Sequence, residues 1–299
     1  MIDFVKINWS NKNCLETHLN DPENFDEFDS LWIKRCLKTN LDGYPIFGKT
    51  HNMDVKAFEK SASVKNSIHK MFNSLTNDDS ANYTDFSYSN LLESIQFLEE
   101  KLPCVDETWL SSLEFGLNLR VDEKAEKIIS HTIRMHRFKD NKTLHKFKGK
   151  GFFYQFEYND YLIKVYDKAK QYGLPYHLLR VEVKYRNSKL LRKLRVNQLS
   201  DLKQKCILSN LYEDFKRRIN ALLIVDKVDW NQIDKCDEVK LKTFLNPYYW
   251  ENELQGKSHT TRKRKRDELY TLLDKYNLDT TKYRIMELLD SKFHQLINS

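Results

Sequence analysis

The chain has 299 residues, 40% of them hydrophobic and 13% aromatic, with only seven glycines, which excludes a disordered chain and leaves room for one large domain or two modest ones. Its 50 Lys and Arg against 43 Asp and Glu give a formal net charge of +7, a lean towards a polyanionic partner. No apolar run reaches the roughly 18 residues of a membrane span, and the five cysteines form no C-x-x-C pair; a membrane protein, a disulfide framework and a thiolate zinc site are therefore not expected, and a reducing cytoplasmic setting is.

Residues 2–9 alternate as a strand, with Val5, Ile7 and Trp9 on one face. Residues 10–50, rich in Asn and Asp, carry no pattern that identifies an element. Residues 56–73, "KAFEKSASVKNSIHKMFN", read as extended or as a hairpin. Ser89 is placed to cap a helix whose Leu91, Leu92, Ile95, Leu98 and Leu102 form one stripe. Residues 113–121, "LEFGLNLRV", are a strand: Phe115, Leu117, Leu119 and Val121 share one face, and Glu114, Gly116, Asn118 and Arg120 the other.

A helix capped by Asp122 is expected through "DEKAEKIISHTIRMHRF", with Ala125, Ile128, Ile129, Ile133 and His136 along one side. Strands follow near residues 152–157, 161–168 and 178–186. From about Ser200 the period becomes helical: Leu202, Cys206, Leu211, Phe215, Ile219 and Leu222 mark one helix, Leu269, Leu272, Leu273 and Tyr276 a second, and Ile285, Leu288, Leu289 and Phe293 a third. The pattern predicts an α+β fold: an antiparallel-rich central sheet with helices on one face and the other face open, followed by a C-terminal helical module. The division expected is 1–195 and 196–299.

Chemistry gathers on the polar faces of the later strands. Lys164, Tyr166 and Lys168 stand opposite Tyr161, Ile163 and Val165; Arg180, Glu182, Lys184 and Arg186 stand opposite Leu179, Val181, Val183 and Tyr185. If these strands share a sheet with Glu114, one face carries two carboxylates, a tyrosine and several cations. Carboxylates suit Mg²⁺ or Mn²⁺, and a phenol beside a cation becomes a nucleophile. A plainer reading stays open: Glu114 and Glu182 as cross-strand partners of Arg120 and Arg180, Tyr166 as an ordinary strand tyrosine, His69 as a hydrogen-bonded structural histidine. His131 and His136, five apart, do not share a helix face. The run Arg262, Lys263, Arg264, Lys265, Arg266 reads either as a phosphate contact or as solvated charge, with "NPYYWEN" nearby and Lys216, Arg217 and Arg218 as a second positive patch.

Several stretches in order resemble one family: "MIDFVKI", "SVKNSIHKMFN", "YTDFSYSNL", "LEFGLNL", "IKVYDKAKQY" and "LLRVEVKYRN", spread over residues 1 to about 200. Together they are similar to replication initiators of the filamentous-phage gene II/X type and their relatives in phages and mobile elements of Bacteroidetes, which resemble in turn rolling-circle plasmid initiators of the Rep_trans class and HUH-like endonucleases. The resemblance implies a nicking–joining enzyme acting on a single-stranded or hairpin DNA origin with flanking duplex. In it, Tyr166 is the nucleophile with Lys168 beside it. Glu114 and Glu182, with His69 as an additional ligand, hold Mg²⁺ or Mn²⁺, and Lys164, Arg180, Lys184 and Arg262 to Arg266 contact DNA. The product would be a 5′-phosphotyrosyl link and a free 3′-OH for the host replication machinery. Two features depart from the family: no histidine–hydrophobic–histidine motif exists, and the position before Glu182, where Rep_trans proteins are expected to hold their tyrosine, is Val181. A relaxase or transposase of the same chemistry, or a non-catalytic DNA-binding repressor on the same fold, are the alternatives.

Overall fold

The strongest alternation in the sequence, at residues 113–121, belongs to a 13-residue strand in the middle of a large sheet. The computed structural model describes residues 1–21, 30–33 (as backbone), 43–76, 81–141 and 151–299. In chain order these form β1 (Ile2–Trp9), α1 (Lys12–Asn20), β2 (Ser30–Ile33), β3 (Ile46–Thr50), β4 (Met53–Phe58), β5 (Ser61–Ser67), α2 (Ile68–Thr76), α3 (Tyr88–Lys101), β6 (Thr108–Arg120), α4 (Ala125–Thr132), β7 (Ile133–His136), β8 (Phe153–Glu157), β9 (Tyr161–Asp167), α5 (Lys168–Tyr172), β10 (Leu178–Tyr185), α6 (Ser188–Lys193), α7 (Lys205–Asn220), β11 (Leu222–Ile224), α8 (Lys235–Phe244), α9 (His259–Lys275) and α10 (Thr280–Ile297).

Among the described residues, nine strands join in the order β2-β3-β4-β5-β1-β6-β10-β9-β8, with every neighbouring pair antiparallel. The fold class read from the sequence, an antiparallel α+β sheet with helices packed on it and helices after it, is the one observed. The apolar face of β6 and β10 lies under α7 and α10. The Phe115 ring is 5.1 Å from Phe215 and 6.3 Å from Phe293, and Tyr212 stacks on Phe293 at 3.9 Å. Truncating an aromatic buried to this degree costs about 3–5 kcal/mol, so this layer is a main source of stability.

A second buried cluster unites α8 and α9 with Met135, Leu223, Val225 and Trp250. Helices after residue 195 therefore join two different cores: Phe215, Ile219, Ile285 and Phe293 belong with the sheet, and Phe244, Leu269, Leu272 and Leu273 with the second cluster. Helical periodicity says that a face is buried but not against what.

Local differences from the sequence reading have simple causes. The cap of α3 is Ser87, in a capping box with Asn90, two residues before the expected Ser89. The extended reading of residues 56–73 holds through the β4–β5 hairpin and fails at Ile68, where α2 begins. The helix expected to run to Phe138 stops at Thr132, and Ile133–His136 instead pair with β11. Ile133 and His136 are buried as expected, because two strand residues on a covered ribbon can mimic a helical stripe. Contrary to the cysteine reading, Cys14 and Cys104 form a disulfide across 90 residues, with Cα atoms 6.5 Å apart. Tertiary folding, not spacing, brings them together. No helix among the described residues is long and apolar enough to cross a membrane.

Candidate active site

Antiparallel register assembles the polar face in rungs. β10 runs between β6 and β9, so Glu182 lies opposite both Gly116 and Lys164, Arg180 opposite Asn118 and Tyr166, and Lys184 opposite Glu114. Glu114, Tyr166, Arg180 and Glu182 are thus neighbours although they lie on three strands. A fourth strand adds Asp3. In the alternation of Val5, Ile7 and Trp9, Asp3 would face the apolar core. A register shift between Ile2 and Val5, opposite Phe115 and Leu113, turns it to the polar side. Single ligand oxygens of Asp3, Glu114 and Glu182 then lie within 4.8 Å of one another.

The gap that admits this cluster is Gly116. A Cβ built there would stand 2.6 Å from Glu182 Cβ and 2.9 Å from both Val181 O and an Arg180 guanidinium nitrogen. Two of those atoms are held by backbone, so nothing can move cheaply. Gly116→Ala is expected to destabilise the protein by about 1–3 kcal/mol and to splay Glu182 from its partners; a denaturant midpoint equal to wild type would show that the contact relaxes without cost.

Cations interleave the acids. Lys164 Nζ is 3.2 Å from Glu114 and 2.8 Å from Glu182, and Lys184 Nζ is 2.9 Å from Glu114. Arg180 donates to Glu182 (3.1 Å), Asp3 (3.2 Å) and Asn118 (3.2 Å). Burial would raise the Glu182 carboxyl, but Lys164 and Arg180 hold it far below the usual carboxylate range. Burial would likewise lower Arg180, and Asp3 and Glu182 more than reverse that. Tyr166 donates to Glu182 Oε2 at 3.2 Å, and burial, followed by the Glu182 charge, pushes its phenol well above its ordinary value of 10. Lys168, the first residue of α5, reaches back to Tyr166 Oη at 3.4 Å and to Asn82 Oδ1 at 2.6 Å. Its burial, with Arg180 nearby, lowers it to about 8.

The face expected to be open is covered at this point. Glu182 is 2% exposed and Tyr166 8%, while Asn118 Nδ2 donates to the backbone carbonyls of Asn82, Tyr83 and Thr84, which cross above it. The side that meets solvent is the one carrying Lys164 and Lys184, each with a quarter of its side chain exposed.

The donor set suits a divalent cation. Mg²⁺ holds oxygens at about 2.0–2.1 Å, hence up to roughly 4.2 Å apart, so the three carboxylates need only a small contraction. Lys164 presses its ammonium against two of the three, and its partial exposure gives it a route out to water. Asp3, Glu114 and Glu182 are therefore the residues that could hold an ion.

Other residues singled out in the sequence sit elsewhere. His69 bonds Thr84 Oγ1 at 3.1 Å and stacks on Phe86, outside the acid group; burial keeps it neutral, lowered to about 3. Arg180 is 3% exposed and spent on internal acids, so it offers no surface contact to DNA. Tyr185 is fully buried on the opposite face, bonded to Asp214. The expected Lys216–Arg218 patch is consumed by ion pairs to Asp290 and Asp214. Arg262 to Arg266 lie within the first two turns of α9. Sequence reasoning missed Asp3, Gly116 and Asn82. An acid at the apolar parity of a strand was the available signal for Asp3; Asn82 comes from a connection and gave none.

No protein-family model matches the chain, and no curated protein matches it. Among solved structures the chain is similar to a rolling circle replication initiator protein from Geobacillus stearothermophilus, at 10% identity, over 78% of this chain and 88% of that one, with a TM-score of 0.41. A similarity of that degree carries no residue roles to this chain.

Proposed function

We propose that the protein is a cytoplasmic DNA-nicking and -joining enzyme that initiates rolling-circle replication, with Tyr166 as its nucleophile. The supporting observation is the meeting of three carboxylates from separate stretches beside one tyrosine hydroxyl and one lysine of lowered pKa. The family resemblance of the stretches carrying Glu114, Tyr166 and Glu182 points the same way.

In this reading a single strand enters past Lys164 and Lys184, whose ammonium groups meet the backbone phosphates. A divalent ion, Mg²⁺ or Mn²⁺, held by Asp3, Glu114 and Glu182 would polarise the scissile phosphate and offset the carboxylate charge beside Tyr166. Tyr166 Oη forms a bond to phosphorus as the bond to the 3′-oxygen breaks. The phenol proton passes to neutral Lys168, and the departing 3′-oxygen takes a proton from water. Running backwards, the same exchange reseals the strand without ATP. A relaxase or transposase would use identical chemistry on another substrate.

Because Lys168 must be neutral to accept the proton, nicking should accelerate as pH rises through about 8 and level off above it. Lys168→Gln should be slow and lack that inflection; an inflection unchanged in the variant would assign it to another group.

One observation favours a second reading, a DNA-binding protein without catalysis: the carboxylates are already neutralised by Arg180, Lys164 and Lys184. Incubation of the protein and Mn²⁺ with a labelled single-stranded origin oligonucleotide separates the two. A covalent protein–DNA adduct is expected; binding without adduct on every element-derived hairpin would leave the binder.

A further inference from the structure

Away from the acid cluster, a cavity of about 310 Å³ opens between the turn after β7 and the start of α9, lined by Arg137, Lys139, Arg262 and Arg266 against one carboxylate, Glu251. Among the described residues none of these four cations makes an ion pair, whereas their neighbour Lys265 is paired with Glu268 at 2.8 Å. Three separate costs meet here. Arg262 and Arg266 are like charges at i and i+4, a repulsive spacing. Arg262 sits at the positive end of the dipole of α9, whose first turn has no acid. Arg137 and Phe138 adopt φ values of +50° and +61° in a turn closed by reciprocal His136–Lys139 backbone hydrogen bonds of 3.0 Å. Such positions suit Asn-Gly, and L side chains there cost about 1–2 kcal/mol each. Strain and repulsion gathered at one concavity mark a place where something else supplies the compensation.

That compensation is an anion. Arg262 is steadied by its Nε–H bond to the Leu254 carbonyl at 3.1 Å, and the Arg266 guanidinium lies 6.0 Å over the Phe138 ring, which packs at 4.3 Å on Trp250. The strained turn thus fixes the aromatic floor and holds Arg137 and Lys139 opposite the helix cations. Lys263 and Arg264, exposed on the same stretch of α9, do not line the cavity.

We propose that this cavity grips a backbone phosphate of nucleic acid, through Arg137, Lys139, Arg262 and Arg266, as an anchoring site separate from the Tyr166 chemistry. From the proposed function it takes only the kind of polyanion.

The test uses full-length Tyr166→Phe protein, so that no cleavage intervenes, and random-sequence single-stranded and duplex oligonucleotides read by fluorescence anisotropy across salt. Lys139→Gln with Arg266→Gln should lower the slope of log affinity against log salt by about 0.7–0.9 for each phosphate the protein no longer neutralises. Lys263→Gln with Arg264→Gln should change it by less than half as much. Equal changes in the two pairs would reduce the cavity to diffuse surface charge. Oligonucleotide affinity and salt slope unaffected in the cavity pair, with millimolar inorganic phosphate binding to the parent protein and lost in that pair, would make it a small-anion site instead. Adduct formation by the wild-type protein is measured separately: equal slopes with an intact adduct overturn the cavity alone, and unequal slopes without an adduct overturn the nickase alone.

Discussion

Tyr166→Phe should abolish the covalent protein–DNA adduct, a loss on the order of 10⁴-fold or more in nicking, while affinity for the same oligonucleotide stays at the wild-type level. The substitution removes one oxygen from a residue that bonds Glu182 and Lys168. Lys168 keeps Asn82 as its acceptor at 2.6 Å, so the variant should fold with a penalty of only about 1–2 kcal/mol. Loss of the adduct therefore cannot be ascribed to unfolding, which a melting curve would verify. A surviving adduct would shift the nucleophile to Tyr172, whose hydroxyl shares Asn82 Oδ1 with Lys168 at 2.8 Å, and not to Tyr185, which is bonded to Asp214 beneath the helices.

Glu182→Gln is expected to be the most damaging single change to the acid cluster. Arg180 and Lys164 would lose the same partner at once, and Arg180 is too buried to turn to water. Breaking a buried pair in this way costs about 3–5 kcal/mol, and the adduct should disappear with it. Glu114→Gln should be milder, because its partners Lys164 and Lys184 each reach solvent. Urea midpoints of the two variants compare these costs directly; a Glu182 variant no less stable than the Glu114 one would mean that Arg180 finds compensation elsewhere. Removing the Glu182 charge also removes a cause of the raised Tyr166 phenol, so that pKa should fall in the variant.

The strands that carry the site were readable because alternation is a local property. "LEFGLNL", "IKVYD" and "LRVEVK" each separate an apolar from a polar face within a few residues, and the polar sets held Glu114, Tyr166 and Glu182. Register between those strands was not readable, since opposite pairing depends on residues tens of positions away. Arg180 shows the consequence. Its place on the polar face was legible, but its burial between Asp3 and Glu182 was not, so a surface contact to DNA was expected where an internal counter-ion stands. His69 fell short in the same way: its segment turns from strand to helix at Ile68, which directs the ring to Thr84 and Phe86.

What the amino-acid sequence determined by itself was the α+β class, the main strands of the central sheet, the presence of apolar helix faces after residue 200 and the set of polar-face residues, because periodicity and charge are written in neighbouring positions. In the first of the stripes after residue 200, Leu202 precedes α7, Cys206 is exposed and Leu222 belongs to β11. Tertiary structure alone decided that a bulge brings Asp3 to the other acids, that Gly116 leaves space for Glu182, and that Asn82 covers the face. It also decided that cations from the turn after β7 and from α9 surround one cavity. Each of these depends on pairing and close approach between segments remote in the chain, where a shift of one residue reverses the face a side chain meets.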